Sequence, residues 1–232
     1  MSKRIVIVDH PVGKRDDRAS QILAGRGYDI DWRRPAAGDS LPEPGPDHAG
    51  ALVYGGAEDL SKSQEVDYIR QEVDWIRRWV EAEQPLVGLC LGAQMLAQAF
   101  GARVAPHPEG LYEIGYVEIA PTPAADGFLG GPMHVYHWHK EGFEVPENAE
   151  LLATGPVFPQ QAFRIGSQVY GLQFHPEVGP EVFGRWIQEA GHMLVEPGAH
   201  SGERQLAEAE THDPPLEAWV SDFLASWLDE QS

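Results

Sequence analysis

The chain has 232 residues, 36 acidic against 17 basic, for a formal net charge of −19, and 42% of its residues are hydrophobic. That charge excludes a general nucleic-acid binder, because a phosphate backbone attracts clustered Lys and Arg, while the apolar share excludes a chain disordered throughout. Apolar runs such as 5–8 and 85–91 fall far short of the roughly 18 residues a membrane span needs, and Met1-Ser2-Lys3-Arg4-Ile5 does not read as a secretory leader, so a soluble cytoplasmic protein with no membrane contact is expected.

Arg4 to Asp9 is a short β-branched run and reads as a buried strand. A helix follows over 18–27, a strand over 28–32, and then a Pro-rich loop from Pro35 to Pro46. Residues 50–54 make a third strand that ends at Gly55-Gly56. Val66, Ile69, Val73, Ile76 and Val80 recur at helical spacing, which predicts a helix over 66–80. Residues 85–90 form another strand, followed without a loop by a helix over 91–100 that stops at Gly101. This alternation implies an α/β fold, a doubly wound and mostly parallel sheet with helices on both faces.

Beyond residue 101 the pattern changes. Residues 112–120 and 169–174 read as strands, with a hairpin from Phe163-Arg164-Ile165 through Gly166 into the second. Composition turns to Pro, Gly, Ser and His from Pro197 to Gly202, a linker before a last helix beginning near Asp213-Pro214-Pro215. The division expected is a domain over 1–196 and a linker with an amphipathic helix over 197–232. Leu216, Trp219, Val220, Phe223, Trp227 and Leu228 form an apolar stripe among Glu217, Asp222, Asp229 and Glu230. The stripe must be buried, against its own domain or at an interface such as that of a homodimer. Acidic residues spread through 65–83, 141–150 and 203–210 read as solvated faces.

Cys90 is the single cysteine, so no internal disulfide forms. It sits in Gly88-Leu89-Cys90-Leu91-Gly92, where a strand turns abruptly into a helix, as in a nucleophile elbow. The positive end of the new helix favours a thiolate, and its free N–H groups can hold an oxyanion. A small buried cysteine before a helix is the plainer alternative. Gln173-Phe174-His175-Pro176-Glu177, at the end of another core strand, supplies a base and a carboxylate to orient it. Carboxyl ends of strands meet along one edge of such sheets, so Cys90 and His175 can converge across 85 residues of sequence.

Gly88-Leu89-Cys90-Leu91-Gly92-Ala93-Gln94, together with Gln173-Phe174-His175-Pro176-Glu177, resembles the triad-type class I glutamine amidotransferases, above all stand-alone proteins similar to the glutaminase domain of GMP synthase. The resemblance covers about residues 4–190. It implies hydrolysis of the γ-amide of glutamine or of a γ-glutamyl compound through a thioester, with Cys90 as nucleophile, His175 as base and acid and Glu177 as orienting carboxylate. It further implies Gly56 and Leu91 as oxyanion donors, and substrate contacts from Gly55, Gln94, His139, Lys140, Gly142 and Phe143. An ammonia-accepting synthase is the partner it implies; a catalytically idle relative with a binding or regulatory role is the alternative.

Two departures from the family pattern stand out. Ala57-Glu58-Asp59 replaces the proline that usually follows the glycine pair, and Lys140 stands where the His-Gly-Asp-like loop of relatives has glycine. Lys140 is expected at the pocket rim, paired with a substrate carboxylate or with Glu141 or Glu58. His134, His137 and His139 are spaced so as to converge on zinc, but no carboxylate or cysteine at ligand spacing joins them. Neither metal nor other cofactor is therefore expected.

Overall fold

A computed structural model describes residues 3–10, 14–63 and 65–229. Met1, Ser2, Pro11 and Glu230 lie outside the described residues.

The first hundred residues form β1 (Arg4–Val8), α1 (Arg18–Gly25), β2 (Asp29–Arg33), β3 (His48–Val53), α2 (Asp67–Glu81), β4 (Leu86–Leu89) and α3 (Leu91–Ala99). After them come β5 (Val104–Pro106), β6 (Glu113–Pro121), β7 (Met133–His139), β8 (Glu141–Phe143), β9 (Ala149–Thr154), β10 (Ala162–Ile165) and β11 (Val169–Leu172), closed by α4 (Pro180–Glu189) and α5 (Gly202–Asp229). Nine strands form one sheet in the order β2-β1-β3-β4-β11-β10-β9-β6-β7, and β5 pairs with β8 apart from it. The pairs from β2 to β11 are parallel, and those from β11 to β7 antiparallel.

Each parallel strand is apolar on both sides because both sides are covered. Ile5, Ile7, Leu52, Val87 and Leu89 face α1 and α5, while Val6, Val8, Ala51, Val53 and Leu86 face α2 and α3. The buried stripe of α2 is Ile69, Glu72, Trp75, Ile76 and Trp79, rotated from the valine stripe expected; Val66 is exposed. Its two tryptophans fill more volume than the valines would and donate indole N–H bonds to the Pro42 and Pro85 carbonyls.

The last helix begins at Gly202, well before the position expected, and runs straight through Pro214 and Pro215. Prolines usually start a helix or break one. Here both lie on the exposed face, where the carbonyls left unbonded can meet water. Asp213, just before them, is tied to Arg18 and to the Tyr116 hydroxyl, which anchors the helix at that turn. Leu216, Val220, Phe223, Leu224, Trp227 and Leu228 are buried in the chain's own core, so the apolar stripe folds back on the sheet. Among the described residues no helix is long and apolar enough to cross a membrane.

Candidate active site

Cys90 lies between the end of β4 and the first residue of α3 and has φ 50° and ψ −107°, a conformation side chains rarely adopt. Two glycines make the turn feasible. A Cβ on Gly88 would sit 2.6 Å from the Gly92 carbonyl oxygen, and one on Gly92 only 2.0 Å from that of Val53. Nothing larger than glycine fits either position. The elbow projects Cys90 at the carboxyl edge of the parallel strands, and its backbone N–H is anchored to the Leu172 carbonyl of β11 at 2.8 Å.

His175 follows β11 on that same edge. The sheet curls enough for the far strand β7 to reach it, and the His175 N–H donates to the Tyr136 carbonyl at 2.8 Å. Cys90 Sγ lies 3.9 Å from the Trp138 carbonyl of the same strand. The His175 ring is electrostatically coupled to the Cys90 side chain, and its Nδ1 lies 2.7 Å from Glu177 Oε1. Burial pulls the imidazole pKa down, but Glu177 and Cys90 outweigh it and hold the value at about 10. Cys90, His175 and Glu177 are thus brought together, all buried.

These side chains open onto a cavity of about 540 Å³. Of the other residues implied by the resemblance, Gly55, Gly56, Leu91, Gln94, His139 and Lys140 line it. Gly142 and Phe143 do not. Gly142 backs onto the Phe158 ring, and Phe143 packs edge-on against Phe163 in the core, since β8 turns its apolar side inward. Gln94 donates to the Glu141 carbonyl at 2.9 Å. Lys140 pairs with neither Glu141 nor Glu58; its Nζ lies 2.7 Å from Asp59. Glu141 is engaged by the Ser61 hydroxyl and backbone N–H, and Glu58 by the Tyr68 hydroxyl. The Lys140 and Glu141 contacts fasten the loop after β3 to the turn between β7 and β8, and Tyr68 ties the same loop to α2.

The three histidines part company for a geometric reason. Strand alternation puts His134 on the opposite side of β7 from His137 and His139. Cross-strand register then sets Glu113 of β6 opposite His139, so a carboxylate does join the pair, contrary to the expectation from spacing. Glu113, His137 and His139 each offer one atom, all within 4.8 Å of one another, and are the group among the described residues that could hold a metal ion. The cluster already closes on itself. Glu113 Oε2 contacts His139 Nε2 at 3.0 Å and accepts from Gln161 at 2.8 Å, while His139 Nδ1 faces the Glu141 carbonyl at 2.9 Å. Burial raises the Glu113 pKa, but His137 and His139 outweigh it and hold the carboxyl down at about 2; burial holds His137 down at about 3. The cluster clamps β6 to β7 and fixes the turn that carries Lys140 and Glu141.

Several lining residues escape sequence reasoning. Trp186 of α4 meets the His175 ring at 5.1 Å and Trp138 at 5.9 Å, and the 3₁₀ turn after α4 adds Met193, whose sulfur accepts from the Trp138 indole. Period-two alternation through 133–139 was the available signal for Trp138, which faces away from its histidine neighbours. His10 and Arg15, near the end of β1, also line the cavity, and no local pattern marks them.

The family model for class I glutamine amidotransferases matches residues 28–192. Among curated proteins, the glutamine amidotransferase-like protein YfeJ of Salmonella typhimurium is 31% identical over 217 residues, which cover 88% of this chain and 87% of the relative. One of the subunits of the glutamine-hydrolysing GMP synthase of Thermococcus kodakarensis is 29% identical over 61% of this chain and 76% of its own length. Crystal structures of glutamine amidotransferases from Thermotoga maritima and Methylobacillus flagellatus superpose with TM-scores of 0.86 and 0.89. Their sequence identities are 24% and 23%; the first match covers 98% of this chain and 99% of the other, the second 99% and 95%. The chain belongs to the class I glutamine amidotransferase family.

Proposed function

We propose that this chain hydrolyses the side-chain amide of glutamine or of a γ-glutamyl compound, with Cys90 as nucleophile, His175 as proton carrier and Glu177 as its orienting carboxylate. The observation that supports this most is the strained Cys90 backbone, which holds the thiol against a histidine whose other nitrogen is fixed by a carboxylate. Strain of this kind persists where the surroundings over-determine it, and it clusters at reacting centres.

The Cys90 thiolate attacks the amide carbon, and the oxygen becomes an oxyanion held by the N–H groups of Leu91 and Gly56. His175, protonated beside the thiolate, gives its proton to the departing nitrogen, which leaves as ammonia or an amine. A thioester remains on Cys90. Water then attacks it, His175 takes the water proton and returns it to sulfur, and glutamate leaves as the carboxylic acid product. Gln94, between the elbow and the Glu141 carbonyl, is assigned to the substrate's amino-acid end.

The size of the cavity favours a γ-glutamyl conjugate over glutamine. At about 540 Å³ it is on the scale of pockets for drug-sized ligands, and α4 with the turn behind it lines one side with the apolar surfaces of Trp186 and Met193, beside Arg185, which is paired with Asp16, and the acidic Glu189 and Glu196. Relatives named as subunits of GMP synthase support the second fate of the nitrogen, transfer to a partner synthase. Incubating the pure chain with glutamine and a panel of γ-glutamyl amides, with glutamate, ammonia and free amine assayed, tests the reading. Glutamate release that disappears on Cys90 alkylation supports it. No release from any compound, with Cys90 still alkylatable, returns the chain to the alternative of an idle relative.

A further inference from the structure

Beneath the Gly55-Gly56 loop lies an ion pair that the chemistry above does not use. His10 Nε2 lies 3.0 Å from Glu72 Oε2, and both side chains are 0% exposed. His10 Nδ1 lies 3.0 Å from the Gly55 carbonyl oxygen. A carbonyl can only accept, so Nδ1 carries a proton and donates. On the other side Nε2 faces the Glu72 carboxyl, which favours the protonated ring; burial pulls the His10 pKa down, and Glu72 more than compensates. Placing a carboxylate on the buried stripe of α2 costs several kcal/mol unless it is paired, and this histidine is the partner bonded to it.

The peptide that His10 grips is the one that matters for the oxyanion. In a trans peptide the C=O and the following N–H point in opposite directions, and no cis bond occurs among the described residues. Pinning the Gly55 carbonyl toward His10 therefore turns the Gly56 N–H away from it. Gly55 itself lies against the reacting groups: a Cβ there would be 2.6 Å from His175 Cε1 and 3.4 Å from Cys90 Cβ. Among the described residues no protein acceptor takes the Gly56 N–H. Glycine on both sides lets this peptide rotate with little steric penalty. A rotated peptide would show the cleft a carbonyl oxygen in place of a donor, and that oxygen would repel the developing charge.

We propose that His10, backed by Glu72, is a positioning residue that holds the Gly55–Gly56 peptide with its N–H turned to the oxyanion of a substrate on Cys90. The proposal rests on the assignment of Cys90 as nucleophile. It does not depend on which amide is hydrolysed, and the test uses that independence.

Three rates are compared in the full chain. Iodoacetamide alkylates Cys90 without forming an oxyanion, p-nitrophenyl acetate acylates it through one, and glutamate release reports turnover of the γ-glutamyl substrate. His10→Ala is expected to lower acylation and kcat by about 10²-fold, the scale of one lost oxyanion donor, with alkylation and KM within about threefold of wild type. His10→Asn, which can offer an N–H near the position of Nδ1, restores at least about tenfold of that loss. Should His10→Ala fail to fold with Glu72 left unpaired, His10→Ala/Glu72→Gln removes the stranded charge and is read in the same way. Unchanged acylation overturns the proposal, as does acylation that falls only in step with alkylation, or a wild type that is alkylated but never acylated. A wild type that releases no glutamate, yet keeps the split between acylation and alkylation on His10→Ala, removes the amidase reading and leaves the role of His10 standing.

Discussion

The parallel and antiparallel parts of the sheet contribute to the cleft by different means. Along the parallel edge, Cys90, His175 and the Gly55-Gly56 peptide are set by where strands end, so backbone topology fixes them within one neighbourhood. The facing wall, from β7, the turn at Lys140, α4 and the 3₁₀ turn beyond it, is assembled from side-chain contacts: Glu113 with His139, Lys140 with Asp59, Trp138 with Trp186 and Met193. Cys90 and His175, whose backbone N–H groups are bonded to strand carbonyls, cannot move without disrupting the sheet, whereas the orientation of the Gly55–Gly56 peptide, held by His10, and the side-chain contacts of the facing wall can be changed singly. The first part is suited to carry chemistry, and the second to set which substrate the chemistry reaches.

The largest effect that would break this comparison comes from the parallel edge. Cys90→Ala is expected to lower hydrolysis by roughly 10⁴-fold or more while circular dichroism and melting stay those of a folded protein. His175→Ala should be nearly as severe. Glu177→Ala should cost about 10²-fold to 10³-fold, because water replaces part of its orienting role. Substantial glutamate release from the alanine variant of Cys90, measured by coupled assay, would remove the chemistry from this edge altogether.

A second effect separates stability from chemistry. Trp227 of α5 is 2% exposed, packs against Gly50 of β3 and donates to the Gln168 carbonyl at 2.9 Å, yet among the described residues none of α5 lines the cavity. Trp227→Ala should therefore cost about 3–5 kcal/mol in urea unfolding, with kcat per folded molecule unchanged. A variant of unchanged stability would mean that the stripe on α5 is not held by its own sheet.

How much of this was legible in the sequence follows the same division. Gly88, Cys90, Gly92, His175 and Glu177 are local patterns whose meaning comes from a strand end and a turn, and short-range sequence records both. The alternation of 4–101 into strands and helices is equally local. Register across β6 and β7 is not: nothing near His139 announces that Glu113 will stand opposite it, and spacing along one strand argued against any carboxylate. Position in a motif points Phe143 and Gly142 at the cleft, but packing occupies both sides of β8 there, Phe143 against Phe163 and Gly142 against Phe158. Pro214-Pro215 is a local signal for a helix start, and an exposed helix face with an anchored Asp213 overrides it, so α5 begins at Gly202 instead.

A smaller effect concerns pH. The His175 pKa stands at about 10 in the folded protein against about 6.5 unfolded, so the folded chain holds the extra proton. Stability from this group is full below about pH 6.5 and is lost as pH rises through about 10. Urea midpoints should accordingly fall from pH 7 to pH 10. His10 is shifted in the same direction and contributes to the same fall, so the informative quantity is the difference from Cys90→Ala, which lacks one of the groups that raise His175. The fall should be shallower in that variant. Parallel curves would mean that the thiol and imidazole are not electrostatically coupled.

The smallest effect on stability carries the sharpest test of the facing wall. Lys140 lies 2.7 Å from Asp59, with side-chain exposures of 35% and 18%, so solvent screens the pair and its loss should cost no more than about 1 kcal/mol. Asp59 is buried enough to have its pKa raised, yet Lys140 and Lys62 outweigh this and lower it, so the carboxylate stays charged and keeps the bridge closed through neutral pH. That bridge and the Ser61 contacts to Glu141 are what fasten the loop after β3 to the turn behind the cleft. Lys140→Gly frees the turn on one side while leaving Cys90, His175 and Glu177 untouched. Relative rates among γ-glutamyl amides should then change severalfold, with Cys90 acylation by p-nitrophenyl acetate within about twofold of wild type, since the reacting edge is not altered. High salt should move wild-type ratios part of the way in the same direction, because an ion pair this exposed weakens as ionic strength rises. Identical ratios in variant and wild type, with and without salt, would reduce Lys140 to a surface cation and leave substrate choice to Trp138, Trp186 and the rest of the aromatic wall.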